Sequence, residues 1–175
     1  MATRAGASRT RRQNAIALLT QEHREAKKLF REFAKLQKKK EEADPDQKRE
    51  LVQQACLALT IHAQLEEELF YPAVRAELDD EDMLDEAEVE HMAAKQLIAE
   101  LQSAQPDEPL YDARFTVLGE YVNHHIEEEE KQMFPKVKKT DLDLLELGET
   151  MMQRKTELQR DPAELQRGVR RRRAA

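Results

Sequence analysis

Five histidines, at positions 23, 62, 91, 124 and 125, are the residues of this 175-residue chain best suited to chemistry. His62 is followed four residues later by Glu66, and His125 by Glu129. Each pair leads to a proline ten residues after its histidine, Pro72 and Pro135. Residues four apart stack on one face of an α-helix, so each pair can offer an imidazole nitrogen and a carboxylate to one point. A carboxylate aimed into a core is costly unless it is paired or bound to metal. A buried imidazole likewise needs a hydrogen bond or a metal. Four imidazoles and two carboxylates exceed what one tetrahedral zinc needs. If each carboxylate bridges two metals, each ion receives about two nitrogen and two oxygen donors. An octahedral ion then keeps roughly two open positions. Iron suits that donor set, manganese ranks second, and one mononuclear zinc or manganese site ranks third.

The elements that would carry these residues read as amphipathic helices. Ile16, Leu19, His23, Ala26, Phe30 and Phe33 share one face. Leu51, Ala55, Leu59, His62, Glu66 and Leu69 share another. A third face holds Leu84, Ala87, His91, Ala94, Ile98 and Leu101, and a fourth Phe115, Leu118, Val122, His125, Glu129 and Met133. Asp44-Pro45, the Pro72 to Asp82 stretch, and Pro106 with Pro109 separate them. A fifth helix is expected over about Asp141 to Leu158. No strand pattern competes, and the low counts of Gly (4) and Pro (6) argue against a turn-rich sheet fold. The expected fold is all-α: an antiparallel up-and-down four-helix bundle with an extra C-terminal helix. In an antiparallel hairpin, residues at one level are equidistant from the turn. The midpoints of 23/62, 62/91 and 91/125 fall at 42.5, 76.5 and 108, each inside a break, which places four histidines in one layer. His125, with Val122, Tyr121 and Leu118 at −3, −4 and −7, is the inward member of its pair. His124 is expected as a partly exposed neighbour.

These residues resemble the hemerythrin-like family, the HHE cation-binding domain. The resemblance rests on His23 in Gln-Glu-His-Arg-Glu-Ala-Lys-Lys-Leu-Phe and on His62 with Glu66 in His-Ala-Gln-Leu-Glu-Glu-Glu-Leu-Phe-Tyr-Pro. It rests also on His91 in Glu-His-Met-Ala-Ala-Lys and on His125 with Glu129 in His-His-Ile-Glu-Glu-Glu-Glu-Lys-Gln-Met-Phe-Pro. It covers roughly residues 14 to 136. It implies a bundle holding an oxo- or hydroxo-bridged di-iron centre that can meet O2, with Glu66 and Glu129 bridging and His23, His62, His91 and His125 as terminal ligands. Oxygen-carrying hemerythrins have a further histidine one turn after the third-helix one. Here that position is Lys95, which puts reversible O2 carriage in doubt. Glu88, three residues before His91, is a candidate replacement donor.

Charge is uneven. Residues 1–14 carry four Arg and no acid. Residues 160–175 carry six Arg against Asp161 and Glu164. The overall charge of −7 therefore leaves −15 on residues 15–159. The expected organisation is a basic flexible arm (1–13), the hemerythrin-like bundle (14–138), an additional helix (139–159) and a basic flexible tail (160–175). The acid runs Glu66–Glu68 and Glu127–Glu130 read as mostly solvated, with one inward member each. Met151 and Met152 read as fifth-helix packing, and Tyr71, Tyr111 and Tyr121 as core or rim.

The single cysteine, Cys56, excludes an internal disulfide and reads as a packing residue. With no apolar run of about 18 residues, no membrane span is expected. The apolar stretch Ala15–Leu19 is too short for a secretory signal, and the protein is expected in the cytoplasm. The acidic body argues against nucleic acid as a partner. The functional expectation is a non-haem di-iron protein that binds or senses O2, NO or a related oxidant, or handles iron redox. Alternatives are a di-iron enzyme acting on peroxide, NO, O2 or Fe(II), and a helical interaction module with a structural metal.

Overall fold

The computed structural model describes residues 13–38 and 44–161. The expected basic arm and tail lie outside the described residues, apart from Gln13, Arg160 and Asp161. Among the described residues every regular element is helical: α1 (Ala15–Lys38), α2 (Pro45–Leu65), α3 (Tyr71–Glu77), α4 (Glu81–Ser103), α5 (Tyr111–Glu128), α6 (Phe134–Val137) and α7 (Leu144–Arg160).

Local chemistry sets the helix starts. The Asn14 side chain accepts from the Ala17 N–H. Asp44 caps α2 by accepting from the Asp46 N–H, with Pro45 in the first turn, where its missing N–H costs nothing. Asp143 accepts from the Leu145 and Glu146 N–H groups and starts α7.

Two further segments, Glu66–Phe70 and Glu129–Met133, are π turns, and they join α2 to α3 and α5 to α6 without a break. In each, the closing N–H bonds the carbonyl five residues back: Tyr71 to Glu66, and Phe134 to Glu129. Pro72 and Pro135 follow at once. A proline inside an α-helix has no N–H to give and crowds the carbonyl four residues back. The shift of hydrogen-bond register just ahead of each proline lets the chain continue. Pro72 is therefore not a break, as the sequence had suggested. The second helical rod runs on to Glu77, and the connection is at residues 78–80.

The four rods form the bundle, with α1 against α2 and α5, and α4 against α2 and α5; α7 straps across α1 and α2. All the expected inward faces are buried or half-buried. Buried apolar residues form two clusters. One gathers Ile16, Leu19, Leu65, Phe70, Leu84 and Met133 with Met151 of α7. The other gathers Ala26, Phe33, Leu59, Phe115, Leu118 and Val122. Along each rod the inward histidine falls between members of the two, so the apolar layers sandwich a polar one. Gly148 brings α7 onto the start of α1: a Cβ there would stand 2.3 Å from the Gln13 carbonyl oxygen and 2.7 Å from the Ala15 nitrogen.

Candidate metal centre

His23, His62, His91 and His125 are all buried in this polar layer, with Glu66 and Glu129 between them. Every one of these histidines turns Nε2 inward and Nδ1 outward. His23 Nδ1 lies 2.9 Å from Glu130 Oε1, and His62 Nδ1 2.8 Å from Glu22 Oε2. His91 Nδ1 lies 3.0 Å from Glu67 Oε1, and His125 Nδ1 2.8 Å from Glu90 Oε2. A carboxylate can only accept, so each Nδ1 donates to its glutamate, and Nε2 is the nitrogen turned to the interior.

The four outer carboxylates form a closed ring. Glu22 on α1 holds the histidine of α2, and Glu67 after α2 holds that of α4. Glu90 on α4 holds that of α5, and Glu130 after α5 holds that of α1. Each sits beside an inward donor in sequence: Glu22-His23, Glu66-Glu67, Glu90-His91 and Glu129-Glu130. One residue turns about 100° around a helix, which aims the outer carboxylate at the neighbouring rod. Sequence reading missed these four, although the adjacent acids were the available signal. It had Glu67 and Glu130 as solvated. Glu67 is only 8% exposed, and Lys95, in the position of the absent histidine, holds it further. Lys155 of α7 does the same for Glu22, Nζ to Oε1 2.7 Å.

Inside the ring the donors face one another. Glu66 Oε2 lies 3.2 Å from His62 Nε2 and 3.3 Å from His91 Nε2. Glu129 Oε2 lies 3.2 Å from His23 Nε2 and 3.6 Å from His125 Nε2. His91 Nε2 and His125 Nε2 are 3.2 Å apart. Each carboxylate thus reaches a histidine on both sides. Two donor groups result: His23, His62, Glu66 and Glu129, and then Glu66, His91 and His125. His23 Nε2, His62 Nε2, both oxygens of Glu66 and Glu129 Oε2 are buried without a hydrogen-bond partner. Orphaned buried polar atoms cost roughly 1–3 kcal/mol each. Donors about 2.1 Å from one ion stand roughly 3.0–3.4 Å apart, so the residues fit cations, and the nitrogen–oxygen set without thiolate is one that iron accepts.

Electrostatics agrees. Burial, reinforced by the charge of Glu129, pushes the Glu66 carboxyl well above its ordinary range. For Glu129 burial also opposes ionisation, but His125 and His23 prevail and hold its carboxyl low. Burial disfavours a charged His125, yet Glu129 and Glu90 raise it. Without a cation, two buried carboxylates cannot both be charged at little cost.

Tyr71 enters the same site. Its hydroxyl donates to Glu129 Oε1 at 3.0 Å and stands 3.3 Å from His91 Nε2 and 3.4 Å from His125 Nε2. Burial, then the charges of Glu129 and Glu66, push its phenol well above the ordinary value, so it keeps its proton here. Of the two readings open for Glu88, replacement donor or surface residue on a helix flank, the structure has the second. The Glu88 side chain is 55% exposed and faces Arg75 at 3.3 Å, because the residue lies on the flank of α4. His124 is outside at 67% exposure. Tyr121 is 49% exposed and borders a small cavity of about 40 Å³ beside His62, His91 and His125. A larger cavity, about 100 Å³, reaches His23 and His62 between α1, α2 and Lys155 of α7. Cys56 is buried in the apolar layer, which pushes its thiol up to about 12.

Helical rods, a buried polar layer and two overlapping nitrogen–oxygen donor groups define a cation-binding bundle. The chain belongs to the hemerythrin family: the model of the hemerythrin HHE cation binding domain matches residues 14–137. It is similar to the crystal structure of a hemerythrin HHE cation binding domain-containing protein from Mycobacterium kansasii. That likeness has a TM-score of 0.67 and 29% identity, and covers 83% of this chain and 86% of the other. It is also 27% identical over 128 residues to a DNA nickase of Nostoc sp. (strain PCC 7120). That match takes in 71% of this chain but only 34% of the nickase, so the chain spans about a third of that relative's length. No helix among the described residues is long and apolar enough to cross a membrane.

Proposed function

We propose that this protein holds a pair of non-haem irons and uses them to bind or sense O2, NO or a related oxidant, or to handle iron redox. The observation that carries this reading is the set of buried donor atoms without hydrogen-bond partners, two histidine nitrogens and three carboxylate oxygens, turned toward one another. Glu66 and Glu129 would bridge, since each stands within 3.6 Å of a histidine on both sides. His23, His62, His91 and His125 would hold the ends, each kept in its tautomer by an outer glutamate. Iron would supply redox chemistry and an open position for a small ligand. The chain supplies a donor layer between two apolar clusters and cavities of about 40 and 100 Å³ beside it, room for a small ligand.

The functional unit in this reading is the bundle of residues 14–138, with the helix in 139–159 closing its α1–α2 side. A single cysteine fits a reducing, cytoplasmic setting. A charge of −15 on residues 15–159 repels phosphates, so nucleic acid is not the partner we propose. The nickase name belongs to a protein of which this chain matches a third.

Metal analysis with an optical spectrum of the purified protein tests the reading. Two irons per chain with near-ultraviolet charge-transfer absorption are expected. Protein that stays metal-free after anaerobic Fe(II) addition would sink it. Tyr71 favours a second reading, a di-iron enzyme reducing peroxide, NO or O2 or oxidising Fe(II), because it places a proton-bearing hydroxyl inside the donor layer. Consumption of oxidant with a supplied reductant, lost in Tyr71→Phe, would select that reading; binding without consumption would select the first.

A further inference from the structure

A third donor group lies outside the bundle. His124 and Glu128 are four residues apart on the outer face of α5, the same spacing as His62–Glu66 and His125–Glu129. His124 Nε2 lies 3.5 Å from Glu128 Oε1 and 3.7 Å from Glu90 Oε1 on α4. One donor atom from each of the three lies within 4.8 Å of the others. With donors about 2.1 Å from an ion, the two separations from His124 subtend roughly 113–124°, open enough for a four-coordinate ion completed by water.

Glu90 belongs to the ring of outer carboxylates and is the member that faces a second histidine. Glu22 and Glu67, its counterparts, have their charges met by Lys155 and Lys95. Glu90 faces no Lys or Arg among the described residues. His124 stands where Glu22 and Glu67 have a lysine, and an imidazole nitrogen adds a ligand atom where a lysine would exclude a cation. Glu128 likewise has no Lys or Arg partner among the described residues. The two carboxylates leave a local charge of −2 that a divalent ion would cancel. Glu90 also touches both layers: Oε2 accepts from His125 Nδ1 at 2.8 Å, while Oε1 faces His124.

From this we infer that Glu90, His124 and Glu128 form a surface site for a divalent first-row transition-metal ion, a loading station one side chain away from the interior centre. The site stands on its own residues; only the loading role rests on the interior being a metal centre.

Zinc binding to the full-length, iron-treated protein tests the site, by equilibrium dialysis of wild type, His124→Ala, Glu128→Gln and Glu127→Gln. Glu127, already paired with Lys131 at 2.8 Å, controls for loss of surface charge. The readout is the difference between proteins, so it is indifferent to what fills the interior. One equivalent present in wild type and Glu127→Gln should weaken at least tenfold in His124→Ala and severalfold in Glu128→Gln. Equal binding in wild type and His124→Ala overturns the site. Stopped-flow Fe(II) uptake by metal-free protein tests the role. His124→Ala should slow uptake severalfold while reaching the wild-type final iron content. An unchanged rate with the zinc difference intact overturns the loading role alone. Absence of iron uptake in wild type as well would overturn the interior reading instead, leaving the zinc difference to stand.

Discussion

On the α1–α2 side of the centre, His23 and His62 meet oxygens of both Glu129 and Glu66, and the outer carboxylate Glu22 is sealed by Lys155 from α7. On the α4–α5 side, His91 and His125 meet the same two glutamates, but a phenol, Tyr71, stands among them. The outer carboxylates there meet Lys95 on one side and His124 on the other. The larger cavity and the α7 strap belong to the first half, the tyrosine to the second. A chain with a near-symmetrical donor pattern has thus built two halves that differ in what closes them. The carboxylates hold the halves together; the closing groups tell them apart.

The largest effect should come from the residue common to both halves. Glu66→Leu removes a donor from each, so under the two-metal reading both ions should be retained at least tenfold less well in competition with a chelator. The metal-free protein should respond in the opposite sense. A buried carboxyl with orphaned oxygens is replaced by an apolar side chain of similar volume, which removes a desolvation cost of roughly 1–3 kcal/mol and should stabilise by about that much in denaturant unfolding. The raised Glu66 carboxyl fixes the pH sign. The folded, metal-free chain holds a proton there that the unfolded chain releases in the ordinary carboxyl range. This group's contribution is therefore most favourable at low pH and declines as pH rises through the folded value. Metal loading should release more protons in wild type than in Glu66→Leu, measurable in weak buffer. Equal proton release would show that Glu66 does not carry it.

Tyr71→Phe should break the symmetry further and in one half only. The ring packing stays and the hydroxyl goes. A titration with Co(II) should then show two unequal classes, one like wild type and one about tenfold weaker, with unfolding stability changed by no more than about 1.5 kcal/mol. Equal weakening of both ions would mean that Tyr71 acts through Glu129 on the whole centre.

The α7 strap tests the other half. Gly148→Ala forces a methyl group against the backbone of residues 13–15, which must move. We expect a loss of about 1–3 kcal/mol in unfolding stability and faster chelator removal of the ion on the α1–α2 side. Faster removal on both sides would show that α7 supports the bundle as a whole.

The inward faces of the four bundle helices, the fifth helix and the convergence of six donor residues are legible in the sequence, because helical periodicity and distance from the turns place residues on a face and at a level. Periodicity does not say which neighbouring rod a flanking side chain will meet. Glu67 and Glu130 consequently read as members of solvated acid runs, and nothing in the periodicity singles out Glu22 or Glu90. Tyr71 was hidden for a different reason. In an α-helix five residues turn about 500°, which puts Tyr71 roughly 140° away from Glu66. The π turn fits an extra residue into that revolution and brings the phenol round to the donor layer. Pro72 marks the place, but a proline alone reads as a break.

The smallest effect sharpens the comparison most finely. Lys155 and Lys95 perform the same task on opposite sides, each meeting an outer carboxylate that orients a histidine. Lys155 is 22% exposed and Lys95 31%, so neither ion pair is deeply desolvated. Lys155→Met and Lys95→Met should each weaken metal retention only a few-fold, about 0.5–1 kcal/mol, in the half they serve. They should differ in acid. Burial alone would raise the Glu67 carboxyl, but its hydrogen bonds from His91 and Lys95 hold it at about 2. A depressed carboxyl contributes stability above its unfolded value and loses it as pH falls toward 2. Removing Lys95 should lift the Glu67 carboxyl and flatten the pH dependence of unfolding between about pH 4.5 and 2. Burial opposes ionisation of Glu22 too, and its carboxyl is lowered through His62 first and Lys155 second, so Lys155→Met should flatten it less. Identical acid profiles for the two variants would mean that the lysines only cover the site and that the histidines alone hold the outer carboxylates in charge.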